Sequence, residues 1–273
     1  MIPFKEFDKV YQAVVKEVYS YWTPQMQSEI AKHHYGWQAE LFDFRSYLVY
    51  SSVRFYKAYQ TFAQIKEVRT VCDIGGFFGV FPVTLKKLGY EVTMTETLQY
   101  YSVSFDNLFK YIIDQGVTVI EYDPFEPNAS LSGHFDVVTV MAVLEHYPHS
   151  LKTFVVNILN ILNSKGRIYI EVPNVAYWPK RINLLLGHSP LSPIEHIYRS
   201  EVPFIGHHHE FTMSELRCFA ELTGLKVISE NFYNYSIHNQ SWFRMFRNSI
   251  QSLAFLLLKD SRECLSILCQ SRE

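Results

Sequence analysis

The stretch VCDIGGFFGV, residues 71–80, decides the fold. An apolar run reaches Asp73, then Gly75, Gly76 and Gly79 follow within seven residues of it, and an apolar helix-like segment begins at Val80. That is the pattern of a strand turning sharply into a helix. Glycine at such a turn admits positive φ and lets a ligand approach the backbone with no Cβ in the way. The first turn of the helix then offers unpaired N–H groups. In an open α/β sheet this turn is the nucleotide-binding position.

Working outward, strand and helix signals alternate. Strand-like runs cover residues 70–74, 91–96, 118–123, 135–143, 167–172 and 225–230, and helix-like segments cover 80–88, 101–114, 151–162 and 214–223. The run Val137-Val138-Thr139-Val140 has no polar alternation, as expected of a parallel strand covered on both faces. The alternation predicts a doubly wound α/β sheet, a Rossmann-like architecture. Residues 1–66 read as a helical cap, because Phe7, Val10, Tyr11, Val14, Val15 and Val18 recur at helical spacing. Residues 67–273 form the remaining domain. Within it, about 175–211 is too long for an ordinary connection and carries Pro179, Pro190, Pro193 and Pro203, so it reads as a substrate-facing insertion. Residues 241–258 predict a mostly buried helix, and 264–270 a short last strand.

Two more acids stand where the turn needs partners. The second strand ends at Glu96, seventeen residues beyond Gly79, where a carboxylate accepts the hydroxyls of a ribose. The third ends at Asp123, placed to accept an adenine amine, with Phe125 or a neighbour packing on the ring. Asp73, Glu96 and Asp123 thus close three successive strands at their carboxyl ends, the edge where such sheets bind ligands. A tight turn with no ligand is the competing reading of the glycines alone.

The chain has 273 residues, with 25 Lys and Arg against 27 Asp and Glu, a formal charge of −2. This balance argues against a nucleic-acid or anionic-membrane binder. The hydrophobic fraction is 48% and the charged fraction 19%, which fits a folded chain rather than a disordered one. No apolar run reaches the roughly 18–20 residues of a membrane span, and the first residues lack the apolar core of a secretory signal. Cys72, Cys218, Cys264 and Cys269 form no CxxC pair, so a reducing cytoplasm is the expected setting. The 21 Phe, 19 Tyr and 4 Trp suit either an aromatic core or an aromatic-lined pocket for a flat or cationic ligand.

Together, DIGGFFG (73–79), Glu96, Asp123, FDVVTVMAVLEH (135–146) and GRIYIEVPN (166–174) resemble the class I S-adenosylmethionine-dependent methyltransferases over roughly residues 67–235. The usual family loop is Gly-x-Gly-x-Gly; here Phe77 holds the middle position and only Gly75 and Gly79 match. RINLLLGHSP (181–190), GHHHEFTMSEL (206–216) and ELTGLKV (221–227) resemble members associated with capsule, lipopolysaccharide or exopolysaccharide synthesis, with His209 departing from an arginine of that pattern. The resemblance implies a seven-stranded sheet with its last strand antiparallel. It implies S-adenosylmethionine as cofactor, with Asp73, Gly75, Gly76 and Gly79 at the methionine part, Glu96 at the ribose and Asp123 at the adenine. A nicotinamide enzyme fits poorly, because no G-x-G-x-x-G register exists here.

Methyl transfer from a sulfonium is an in-line displacement that depends on positioning, and a hydroxyl nucleophile gains from a base. Glu145 and His146 follow the fourth strand directly, and His146 is read as base or orienter of the acceptor, against a purely structural loop contact. Some quinone-synthesis relatives hold a divalent metal with Glu-x-x-Glu-His; Ala142 replaces the first acid here, so no metal is expected. His207 is read as facing the acceptor pocket, against a solvated turn before the helix that the Thr212-x-x-Glu215 capping box starts. Tyr169, Tyr177 and Trp178 are candidates for the cavity wall or the core, and Lys180, Arg181 and Arg199 for a phosphate site or a solvated face. The expected function is O-methylation of a small-molecule or glycan-linked acceptor, without nucleic acid or a membrane span and with a possible homodimer. The alternatives are an inactive cofactor-binding scaffold and, less favoured by LEHYP (144–148), N-methylation.

Overall fold

Long apolar stripes on the N-terminal helices and continuous apolar strands in the middle of the chain leave one efficient arrangement: helices on both faces of a parallel sheet. The computed structural model describes residues 1–34, 42–127, 129–236 and 253–271 and has this arrangement. Four helices come first: α1 (Phe4–Ser20), α2 (Pro24–His34), α3 (Phe44–Tyr50) and α4 (Ser52–Phe62). There follow β1 (Thr70–Ile74), α5 (Val80–Lys87), β2 (Glu91–Glu96), α6 (Asp106–Asp114), β3 (Thr118–Glu121), β4 (Phe135–Met141), α7 (Lys152–Asn160) and β5 (Leu162–Pro173). The rest is α8 (Trp178–Leu185), α9 (Ile194–Arg199), α10 (Met213–Leu222), β6 (Leu225–Tyr233) and β7 (Cys264–Ser271).

The seven strands run in the order β3-β2-β1-β4-β5-β7-β6. Strands β1 to β5 pair in parallel, and β7 inserts antiparallel to both β5 and β6. The order reverses beside β1, whose neighbours are β2 and β4. That switch point opens a crevice at the carboxyl ends of the strands. The sequence placed all seven strands. Among the boundaries that moved, β3 stops at Glu121, which puts Asp123 in the following turn; β5 starts early, at Leu162, capping α7 short; β4 stops at Met141, and Ala142 after it adopts φ 55°; and β6 runs on to Tyr233.

One apolar core lies between the N-terminal helices, α5, α6 and one sheet face; Phe7, Tyr11, Phe62, Phe81 and Met94 belong to it. The other lies under α7 and α10, with Phe154, Ile158 and Leu216 against Val138, Ile170 and Ile267. The aromatic excess goes largely into these layers, where Phe7, Tyr11, Phe44, Phe62, Phe78, Phe81, Phe105, Phe154 and Tyr169 are fully buried. Tyr11 keeps its hydroxyl satisfied by donating to the Leu48 carbonyl at 2.8 Å. Helices α8 and α9 of the insertion bury no residue, so their exposed leucines and isoleucines contribute nothing to either core. The predicted helix at 241–258 lies mostly outside the described residues; 253–257 are helical.

Phe7 stacks on Tyr11 and Tyr59 and tilts against Tyr56, fixing α1 on α4. Replacing Phe7 with Ala is expected to cost about 3–5 kcal/mol. Urea denaturation checks it, as a lowered midpoint.

Candidate functional site

The strand-to-helix turn is built from an unusual run of left-handed backbone. Gly75 has φ 67° and Gly79 φ 70°, while Phe77 between them has φ 54°. The middle position therefore takes the conformation that suits glycine although a phenylalanine occupies it, at a cost of about 1–2 kcal/mol. Two features hold it there. The Phe77 amide donates to a carboxylate oxygen of Glu96, and the Phe77 ring packs against Phe78 with centroids 3.5 Å apart. Gly76 is needed for a different reason: a Cβ there would stand 2.6 Å from Cγ of Met94 and 3.2 Å from Oδ2 of Asp73.

The turn forms one wall of a cavity of about 870 Å³ at the carboxyl edge of the sheet. Asp73, Gly75, Gly76, Glu96, Asp123, Glu145, His146 and His207 all line it. Gly79 does not: it starts α5, and a Cβ there would meet Ile112. Asp73 is buried and accepts a hydrogen bond from Thr139 Oγ1 at 2.5 Å. Burial pushes its carboxyl up to about 7, against the opposing pull of Thr139. Burial likewise pushes Glu96 up to about 7, although the Phe77 amide and the Tyr101 hydroxyl, 3.2 Å away, favour its charged form. Asp123 Oδ1 accepts from the Phe125 amide at 2.9 Å, closing a turn. Phe125 itself stacks on Tyr147 (3.8 Å) and Phe154, so its ring is engaged by protein.

Two further segments meet in the cavity, the turn after β4 and the loop that carries His207 and His208. Glu145 and His146 sit in a short turn after β4; burial pushes Glu145 up to about 8, with Glu171 adding repulsion. The loop at 207–209 docks on this turn through the His208 amide, 2.7 Å from the Glu145 carbonyl. The His146 and His207 rings then meet edge-on at 4.9 Å. His207 Nδ1 bonds Glu210 Oε1 at 2.8 Å, and Glu210, which also pairs with Lys180, is 5% exposed. Burial pushes Glu210 up, but His207 and Lys180 outweigh it and hold the carboxyl below its usual value. The capping box of Thr212 and Glu215 forms as expected at the start of α10.

Several candidates fall elsewhere. Tyr169 is core, Tyr177 stacks on Phe255, and neither they nor Trp178 line the cavity. Lys180 pairs with Glu210, Arg181 with Asp260 and Arg199 with Glu195, so these cations are used within the protein. Conversely, the sequence reading missed Arg54, which α4 carries into the cavity wall. Its guanidinium bonds Glu171 of β5 at 2.8 and 2.7 Å and the Tyr47 hydroxyl at 2.8 Å. The available signal was Glu171 itself, a lone acid inside the apolar strand RIYIEVP.

A family model for a methyltransferase domain matches residues 44–230. The chain belongs to this family. With the strand order above, it is a class I S-adenosylmethionine-dependent methyltransferase. Among solved structures, the fold is similar to the N-methyltransferase NodS of Bradyrhizobium japonicum WM9 bound to S-adenosylhomocysteine, at 13% identity and TM-score 0.52, covering 82% of this chain and 88% of that one. It is similar to magnesium protoporphyrin IX methyltransferase of Synechocystis PCC 6803, also bound to S-adenosylhomocysteine, at 11% identity and TM-score 0.54, covering 85% and 88%. A methyltransferase of Archaeoglobus fulgidus matches at 19% identity and TM-score 0.51, covering 82% and 94%. A search of curated proteins returns no matching relative. Among the described residues, no helix of this methyltransferase is long and apolar enough to cross a membrane.

The Arg54–Glu171 pair joins an N-terminal helix to the sheet with both side chains buried. Arg54→Met leaves Glu171 buried without its partner and is expected to destabilise by about 3–5 kcal/mol. The double variant Arg54→Met/Glu171→Leu recovers most of that loss. A double-mutant cycle by denaturant unfolding measures both.

Proposed function

We propose that the chain transfers the methyl group of S-adenosylmethionine to a hydroxyl of a small-molecule or glycan-linked acceptor. The observation that carries this reading is the convergence of Glu145, His146 and His207 in the cavity that the glycine turn, Asp73, Glu96 and Asp123 also line.

The residues fit the cofactor. Gly75 and Gly76 line the cavity with backbone alone, which suits close approach of the methionine part. Asp73 faces that part, Glu96 accepts from the ribose hydroxyls, and Asp123 accepts from the adenine amine. Bound there, S-adenosylmethionine supplies an electrophilic methyl on a charged sulfonium. The aromatic lining excludes water from it. The Glu145, His146 and His207 group binds the acceptor and draws off its hydroxyl proton, a role histidine suits at neutral pH. The segment at 175–211 is the acceptor-side wall, because Phe204, Ile205, His207 and His208 reach the cavity from it. The N-terminal cap, residues 1–66, adds Tyr47, Tyr50 and Arg54 to the lining. The glycan-linked choice rests on the likeness at 181–227; the N-methyltransferase among the structural neighbours shares the fold and does not fix the acceptor atom.

Calorimetric titration is expected to give micromolar S-adenosylmethionine binding, no NAD binding, and loss of the former in Glu96→Ala. Absence of donor binding contradicts the reading and favours an inactive scaffold. The charged carboxylate of Glu96 is the hydroxyl-accepting form. Since burial raises it to about 7, donor affinity falls from pH 8 to pH 6, toward tenfold per pH unit as the carboxyl protonates.

His146→Ala and His207→Ala are each expected to lower turnover more than about tenfold with donor affinity kept. Stopped acceptor assays across sugars and small hydroxylated molecules measure this; two variants with near-normal rates contradict the assignment.

A further inference from the structure

Glu145 lines the cavity and is fully buried, and among the described residues neither of its carboxylate oxygens has a hydrogen-bond partner. A buried carboxylate left that way is costly unless something in the site binds it. The other buried or half-buried acids of the lining are satisfied by the protein itself. Glu171 has Arg54, Asp73 has Thr139, Glu96 has the Phe77 amide, Asp123 has the Phe125 amide, and Glu29 has Ser102 and Ser104. The lining is also short of positive charge. It holds seven carboxylates, and Arg54 is the one arginine or lysine among its described residues. That guanidinium is engaged by Glu171 and the Tyr47 hydroxyl. Burial pushes the Glu145 carboxyl up to about 8; Glu171 and Glu210 add repulsion, and Arg54 offsets part of it.

Aromatic rings stand around the same charges. Tyr47 meets Tyr50 edge-on at 5.8 Å, and Tyr50 tilts against Tyr235 at 5.7 Å. All three line the cavity. Burial raises the Tyr47 hydroxyl, and Glu145 is among the charges that add to it. The Arg54 guanidinium already lies over the Tyr235 ring, 5.4 Å from its centroid, so this wall accepts a cation. One ring nitrogen from each of His146 and His207 lies within 4.8 Å of a Glu145 carboxylate oxygen.

We propose that Glu145 anchors a primary ammonium group of the acceptor, which makes the substrate class a vicinal amino alcohol such as an amino sugar. This rests on the acceptor-site reading above. A primary ammonium brings three donors and a positive charge, enough to meet both oxygens. A hydroxyl brings one donor and leaves the buried negative charge in place. The short separation of Glu145 from the two imidazoles puts the ammonium and the reacting hydroxyl on neighbouring carbons. Paired with Glu145, the nitrogen keeps its proton and has no lone pair for the methyl group, so the hydroxyl is the nucleophile.

The test uses the full chain saturated with S-adenosylhomocysteine and two probes, para-nitrophenyl glucosaminide and para-nitrophenyl glucoside. They differ only in an amine or a hydroxyl at one carbon. Both are titrated calorimetrically at pH 7 in two buffers of different ionisation enthalpy. Wild type is expected to bind the glucosaminide at least about tenfold more tightly. It also releases the larger part of one proton, because Glu145 starts protonated and ends in an ion pair. The glucoside releases none. Glu145→Gln is expected to lose the preference and the proton release and to keep its affinity for S-adenosylmethionine. Glu126→Gln, which neutralises an exposed acid of the same lining, keeps the preference. Equal affinity for the two probes in wild type, or binding of neither, overturns the proposal before any variant is made. A preference that survives in Glu145→Gln overturns it as well. So does loss of donor affinity in a Glu145→Gln variant with normal circular dichroism, which assigns the carboxylate to the donor. If the probes bind equally while the histidine variants lose turnover, hydroxyl methylation stands without the anchor. If the preference depends on Glu145 while both histidine variants turn over normally, the anchor stands and the base assignment falls.

Discussion

Glu96, at the end of β2, accepts a hydrogen bond from the amide of Phe77, in the turn between β1 and α5. That bond ties the second strand to the one backbone segment that must stay left-handed at three positions. It lies where the strand order reverses, with β1 flanked by β2 and β4. Loss of it would let Phe77 relax from φ 54° toward ordinary geometry and swing the turn, because only a glycine is comfortable there. The turn it holds leads into α5, and both Phe77 and Glu96 line the cavity. The same carboxylate serves the fold and faces the cavity, so one residue type at one strand end carries two constraints.

The cavity is also a place where charge is held at a cost. Asp73, Glu96, Glu145 and Glu171 line it, with Arg54 as the buried cation among them. Glu171 is matched by Arg54, and Asp73 by a hydroxyl. The carboxylate oxygens of Glu145 have no hydrogen-bond partner among the described residues. Burial pushes Asp73 and Glu96 up to about 7 and Glu145 up to about 8. Raised carboxyl pKa values mean that these three groups favour the unliganded fold most below about pH 4, and that their contribution is lost as pH rises through about 4 to 8. Bound groups that donate hydrogen bonds or bring positive charge reverse that loss. The site is thus prepared for its ligands at the expense of the unliganded fold, a usual trade at functional sites.

Much of this was legible in the sequence because the signals were local. The glycine turn, the acids at 73, 96 and 123, and the apolar strands each follow from a spacing that a single segment carries. The capping box at Thr212 was equally local, and it formed. What sequence alone could not show depends on side chains meeting across the chain. Arg54 reaches Glu171 over 117 positions, and His207 reaches His146 through a loop whose path no periodicity announces. Lys180 and Arg199 looked available for an anion because their partners, Glu210 and Glu195, are chosen by tertiary and helical geometry. Gly79 shows the converse: its spacing matched a ligand-binding glycine, while its packing against Ile112 gives it a role in starting α5.

The most direct test of the account is a crystal structure of the full chain with S-adenosylhomocysteine. The account predicts the ligand in the crevice at the carboxyl edge of β1, β2 and β4, its ribose hydroxyls on Glu96, its adenine beside Asp123 and its sulfur aimed at Glu145, His146 and His207. A ligand seated elsewhere, or one whose sulfur faces away from those three residues, would contradict it.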